Sequence, residues 1–175
     1  MLRHLGERSS MRISKATAED ISALSALLLV LFSQEAEFTP DQEAQARGLA
    51  RIIDSPDTGV VLVAKSDGVV VGMVTLLFTI STALGERVAL LEDMVIASKL
   101  RGAGVGSQLL ERAISVARAE GCKRITLLTD KTNESAQRFY AKQGFELSSM
   151  VPMRLSLTSE CNETPNKSLE RTRGR

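Results

Sequence analysis

The chain has 175 residues, 43% hydrophobic and 25% charged, which is enough for one globular domain with a core and too few for two. Its 22 basic and 21 acidic residues leave a formal net charge of +1, which speaks against nucleic acid or an anionic membrane as partner and for a neutral or small one. The longest apolar run, Ala26 to Phe32, falls far short of the roughly 20 residues that span a bilayer; with no signal-peptide core and only Cys122 and Cys161, a cytoplasmic protein with reduced thiols and no metal is expected.

Residues 1 to 10 are polar and patternless and read as a flexible extension, with Met11 a second candidate start. Met11 to Ala16 alternates as a strand does, and Thr17 with Asp20 three residues on resembles a capping box. The helix it opens carries Ile21, Leu24, Leu27, Leu28 and Leu31 at helical spacing. A second helix is expected to follow Pro40 and run to about Ile53, after which Ser55-Pro56-Asp57 breaks it. Gly59 to Lys65 and Val69 to about Thr79 flank the turn Ser66-Asp67-Gly68 and read as a hairpin. Beyond a turn near Leu84-Gly85-Glu86, the mostly apolar run Arg87 to Ala97 reads as a central strand covered on both faces.

From Gly104 to Glu120 the residues Val105, Leu109, Leu110, Ala113, Val116 and Ala117 line one helical face, closed by Gly121. A strand at Arg124 to Thr129 follows, then a short helix capped by Asn133 or Thr132 and stopped by Gly144. Phe145 to Leu157 is expected to form one or two last strands, completing a domain over 11–157. Residues 158 to 175 are polar and aperiodic and read as a disordered tail, in which the sequon Asn162-Glu163-Thr164 would go unused in the cytosol.

A strand running into Arg101-Gly102-Ala103-Gly104-Val105-Gly106 and then a helix is a device for holding phosphate. Glycines let the backbone approach an anion, and the unpaired amides at the helix start point at it. A tight strand-to-helix turn with no ligand is the bland alternative. No Walker sequence is present, and the dinucleotide fingerprint fails because position 107 is Ser107 and several elements precede the loop. A helix of about 17 residues carries the chain roughly 25 Å from the loop, and the next strand returns it by roughly 20 Å. Asn133 is thus expected near the loop and Cys122 at the far end. Asn133, Ala136 and Tyr140 then share one helix face. Tyr140 is the chain's only tyrosine, able to donate a proton if a reaction here expels a thiolate, or simply to pack in the core.

The run Leu91-Glu92-Asp93-Met94-Val95-Ile96, the pattern Arg-x-x-Gly-x-Gly from Arg101, and Asn133-x-x-Ala136-x-x-x-Tyr140-x-x-x-Gly144-Phe145 together resemble the GNAT superfamily of N-acetyltransferases over about residues 11 to 157. The resemblance implies an α/β fold, a mixed and largely antiparallel sheet with splayed central strands and helices on both faces. It implies acetyl-CoA in the gap and direct transfer to an amine without a covalent enzyme intermediate. Pyrophosphate would lie on the backbone of Arg101, Gly102, Ala103, Gly104, Val105, Gly106 and Ser107, and the pantetheine arm along Met94, Val95 and Ile96. Asn133 and Ala136 would meet the cofactor, and Tyr140 would protonate the sulfur.

A lysine-like amine must lose a proton before attack, at a cost of about 4–5 kcal/mol at neutral pH. The only histidine, His4, precedes the domain, so a carboxylate or ordered water must take that proton. Glu92 is the candidate, because strict alternation sets it on the face of Met94 and Ile96, with Asp93 opposite unless a bulge intervenes. The alternative for this acidic pair is substrate recognition or a structural hydrogen bond. Glu35, Glu37, Asp41 and Glu43 could draw in a cationic acceptor or merely front a helix. The expected partner is a small-molecule amine, with a peptide amine as variant and a homodimer left open. The alternative function is a non-catalytic acyl-CoA-binding module.

Overall fold

The computed structural model describes residues 10–33, 41–155 and 157; expectations placed on His4, Glu35, Glu37, Cys161, the sequon and the tail lie outside the described residues. The elements run β1 (Met11–Lys15), α1 (Ile21–Phe32), α2 (Gln42–Ile53), β2 (Gly59–Ser66), β3 (Val69–Ser81), β4 (Glu86–Ile96), α3 (Val105–Ala119), β5 (Ile125–Leu127) and α4 (Glu134–Ala141). Sheet order follows chain order, with β1 to β4 antiparallel and β5 parallel to β4. Among the described residues, no helix is long and apolar enough to cross a membrane.

Alternation along β2 explains the layers. Val60, Leu62 and Ala64 face α3 and meet Leu109, Leu110 and Ala113, whereas Val61 and Val63 face α1 and α2 and meet Leu24, Leu28 and Leu49. An unbroken apolar run therefore forms a strand rather than a helix, because both of its faces are covered. The β2–β3 turn has positive φ at Asp67 (49°) and Gly68 (82°), the backbone a two-residue hairpin needs. Helix α3 stops in a Schellman motif: the Gly121 amide (φ 78°) donates to Arg118 O at 3.0 Å and the Cys122 amide to Ala117 O at 2.9 Å. This motif tucks the half-buried Cys122 thiol against the core, and burial pushes it above its ordinary value.

The expected capping box is present, but it opens a 3-10 turn, Ala18–Asp20, that leads into α1. Asp20 is only 5% exposed. Its carboxylate accepts from the Thr17 amide at 3.0 Å and meets Lys65 Nζ of β2 at 2.6 Å. The start of α1 is thereby pinned to the sheet.

Two expectations fail at the far end of the chain. The strand expected over Arg124 to Thr129 is only three residues long, and Phe145 to Leu157 forms no strand among its described residues. Local chemistry gives a reason: Ser148 Oγ takes the Met150 amide at 3.1 Å, and Pro152 has no amide to give a ladder. Val151, Met153, Leu155 and Leu157 keep the alternation of a strand but are all more than 80% exposed.

Burial alone would raise the Asp20 carboxyl, but hydrogen bonds from Lys65 and Thr17 and the Lys65 charge outweigh it and hold the carboxyl below its ordinary range. A lowered folded value means that the stability Asp20 lends is complete above about pH 3.9, the ordinary carboxylate value, and is lost as pH falls through the folded value. Asp20→Asn is expected to cost about 1–3 kcal/mol at neutral pH in urea unfolding, with the two proteins converging only in acid.

Candidate active site

The β4–β5 ladder runs from Ala89–Ile125 to Leu91–Leu127 and stops, while β4 continues to Ile96 paired with β3 alone. The sheet opens there. Just past that point β4 carries a bulge: Thr75 pairs with Glu92 and Met73 with Val95, so Asp93 and Met94 together oppose Val74. Asp93 takes φ 49°, a left-handed conformation that aspartate tolerates better than most residues.

The bulge corrects the alternation expected for β4. Glu92 shares its face with Thr75 and Val61, on the α1/α2 side, whereas Met94 and Ile96 pack against the α3-side cluster. Val95 is buried in the α1/α2 cluster at 4% exposure. Glu92 is therefore on the opposite face from Met94 and Ile96, and its side chain is exposed.

At the end of β4 the chain turns through Ser98–Leu100 into the glycine loop. Arg101 Nε donates to Ile96 O at 3.1 Å, tying the loop back to the strand. Gly102 (φ 82°) and Gly104 (φ 84°) both occupy the left-handed region. Gly104 is the N-cap of α3 and so brings no capping side chain, whereas α2 is capped by Asp41 Oδ1 and α4 by Asn133 Oδ1. The first amides of α3 follow an exposed loop, Arg101 to Gly104, and Val105 then dives into the core.

Helix α4 lies against this loop, as the length argument anticipated. A methyl group added at Gly106 would sit 3.6 Å from Phe139 Cζ and 3.7 Å from Ile96 Cγ1. Asn133 Oδ1 accepts from the Ala136 amide at 3.0 Å, so both residues serve the helix start. Gln137 Nε2 donates to the Asp130 and Lys131 carbonyls at 3.1 and 2.9 Å, fixing the approach to it.

The close of α4 explains the Tyr-x-x-x-Gly-Phe spacing. Gly144 (φ 88°) donates to Ala141 O and the Phe145 amide to Tyr140 O at 3.2 Å, which folds the Phe145 ring to 5.8 Å from the Tyr140 ring. Phe139 flanks Tyr140 at 5.2 Å, and both contacts are edge-on. Burial raises the Tyr140 phenol above its ordinary value, so it stays protonated, and a donor, at neutral pH.

Met94, Ile96, the loop from Arg101 to Ser107, and α4 with Tyr140 thus converge at the mouth of the opened sheet; Glu92 and Val95 lie on its other face. Two contributors escaped the sequence reading. Gly72, directly across from Ile96, has no room for a Cβ: Ile96 Cδ1 would lie at 2.6 Å and Val95 O at 3.2 Å. A lone glycine inside the valine-rich run Val69 to Val74 was the available signal. Phe139, which meets Gly106, carried no signal that separates it from an ordinary core residue.

The sequence model of the family described as "Acetyltransferase (GNAT) family" matches residues 24–145. An uncharacterized N-acetyltransferase, YhfO of Bacillus subtilis, is 31% identical over 140 residues, 78% of this chain and 90% of that protein. The aminoalkylphosphonate N-acetyltransferase of Salmonella typhimurium is 30% identical over 133 residues, 76% of this chain and 83% of that one. Among solved structures, a transcriptional regulator from Bacillus halodurans superposes with a TM-score of 0.73 at 28% identity, covering 84% of this chain and 99% of that one.

With one tyrosine and no tryptophan in the chain, the phenolate absorbance band reports Tyr140 alone. Titrated folded, it is expected to rise only above the ordinary phenol value of about 10, and in denaturant at that value. Because the folded value is the raised one, the corresponding stability is complete below the ordinary value and is lost as pH rises through the folded one. Coincident curves would contradict the burial.

Proposed function

Since the chain belongs to the GNAT family of acetyltransferases, we propose that this enzyme moves the acetyl group of acetyl-CoA to the primary amine of a small molecule, in a ternary complex, in the cytoplasm. One observation supports the reading: the left-handed glycine loop, the apolar end of β4 and helix α4, through Phe139 beside Tyr140, pack together next to the point where the β4–β5 ladder ends. The residues present suit the cosubstrate. Backbone amides of the loop and the start of α3 would hold the pyrophosphate, and Met94 and Ile96 offer an apolar wall to the pantetheine arm. Bound acetyl-CoA supplies an acetyl thioester, an acyl donor with a good leaving group.

Opposite faces of the sheet then divide the proton chemistry. On the α1/α2 side Glu92 takes a proton from the acceptor ammonium, and the freed nitrogen forms a bond to the acetyl carbon. As the carbon–sulfur bond breaks, Tyr140 on the α3 side gives its proton to the departing sulfur; the nitrogen sheds its second proton in becoming an amide, solvent returns one to the phenolate, and the proton held by Glu92 is the one released per turnover. The Salmonella relative acts, by its name, on aminoalkylphosphonates, so these belong on the acceptor panel with polyamines, amino acids and aminoglycosides.

Thiol release from acetyl-CoA over that panel, beside calorimetric binding of coenzyme A, tests the reading. Amine-dependent release supports it; binding without turnover on any amine would overturn it in favour of a sensor. Two variants separate the parts. Gly106→Ala meets only ordinary van der Waals contacts within the protein and should gain up to about 1 kcal/mol of helix propensity. It is expected to keep or slightly raise its Tm and lose about tenfold or more in coenzyme A affinity, because the added methyl would meet the pyrophosphate. Tyr140→Phe is expected to keep coenzyme A affinity and lose about 10–100-fold in kcat; an unchanged kcat would remove the acid role.

A further inference from the structure

Thr75 is an anomaly in the core. It is 1% exposed, near the middle of β3, and among the described residues its Oγ1 is buried without a hydrogen-bond partner. A buried, unpaired hydroxyl destabilises the fold, and valine would fill the same space without that cost. Its cross-strand partners are Val61 on β2 and Glu92 on β4. Residues directly opposite in an antiparallel pair have Cβ atoms about 4.5–5.5 Å apart on the same face. The Glu92 side chain is exposed, and no hydrogen bond or ion pair holds it among the described residues. A hydroxyl without an acceptor thus stands beside a carboxylate without a donor, next to the bulge that aims Glu92 at the acceptor face.

We propose that Thr75 is the positioning residue of the acceptor side: its hydroxyl donates to one Glu92 carboxylate oxygen when that side chain turns inward, leaving the other oxygen to face the acceptor amine. The inference rests on the base role given to Glu92 above. In the free enzyme the carboxylate stays in water, and docking of an ammonium group supplies the opposite charge that draws it in. With the Thr75 bond made, the carboxylate has one orientation instead of many when the proton passes from nitrogen to oxygen. Glu92 would then act from a fixed place, and the orphaned hydroxyl would be satisfied only in the working complex.

The test compares wild type, Thr75→Val and Thr75→Ser for thermal stability, for coenzyme A affinity, and for acetyl transfer to two probes. One probe is the best ordinary alkylamine of the panel; the other is hydroxylamine, which is mostly unprotonated at neutral pH and needs no base before attack. Thr75→Val is expected to raise Tm by roughly 2–4 °C, leave coenzyme A affinity within twofold, and lower kcat for the alkylamine about tenfold or more. Its hydroxylamine rate should stay within about twofold, and Thr75→Ser should restore the alkylamine rate. An unchanged alkylamine rate in Thr75→Val, or an equal loss with both probes, overturns the positioning role while leaving the transferase reading intact. If wild type turns over neither probe, the transferase reading falls and this inference with it. A Tm that drops in Thr75→Val shows the hydroxyl to be structurally paired and also overturns it.

Discussion

A strand can present a side chain to only one of its two faces at each position, and the bulge at Asp93 and Met94 is where this chain escapes that constraint. Without the extra residue, Glu92, Met94 and Ile96 would point the same way, and the carboxylate would crowd the apolar wall that two of them form. With it, one short stretch of β4 serves both layers: Glu92 and Val95 face α1 and α2, and Met94 and Ile96 face α3. The left-handed φ at Asp93 is the local strain this requires, and the paired strand β3 holds it in place. Everything proposed about acid and base depends on this one-residue shift.

The second requirement is closeness. Ile96 lies between two residues that lack a Cβ, Gly72 across the strand pair and Gly106 on α3. Together with the Arg101 bond to the Ile96 carbonyl, this packs the glycine loop onto the strand end with little freedom. Helix α4 closes the arrangement through Phe139, and its Schellman end uses Phe145 to brace Tyr140. The tyrosine is thus aimed by backbone hydrogen bonds and two aromatic neighbours, without needing a charged partner.

The anchoring far from the site is of a different kind. Asp20 and Lys65 tie the start of α1 to β2, and the Gly121 turn tucks Cys122 under the base of α3. These contacts join the helical layers to the sheet on either side of the opening beyond Leu91 and Leu127.

Much of this was legible in the residues. The hairpin turn at Asp67-Gly68, the apolar face of α3, the cap at Asn133 and the glycines that end α3 and α4 are local features, set by φ preferences and by periods of 2 and 3.6. So was the meeting of loop and α4, because element lengths alone bring the chain back. What the sequence could not decide was pairing. A bulge is defined by what lies opposite it, so the face of Glu92 depended on β3. The orphaned hydroxyl of Thr75 and the room for Ile96 over Gly72 exist only once two strands are in register. The apolar alternation from Val151 to Leu157 gives the converse: it has the period of a strand, but among the described residues it pairs with no ladder and forms no strand. Local preference determined which elements this chain makes, and tertiary pairing, with its one-residue precision, decided which side chains share the site.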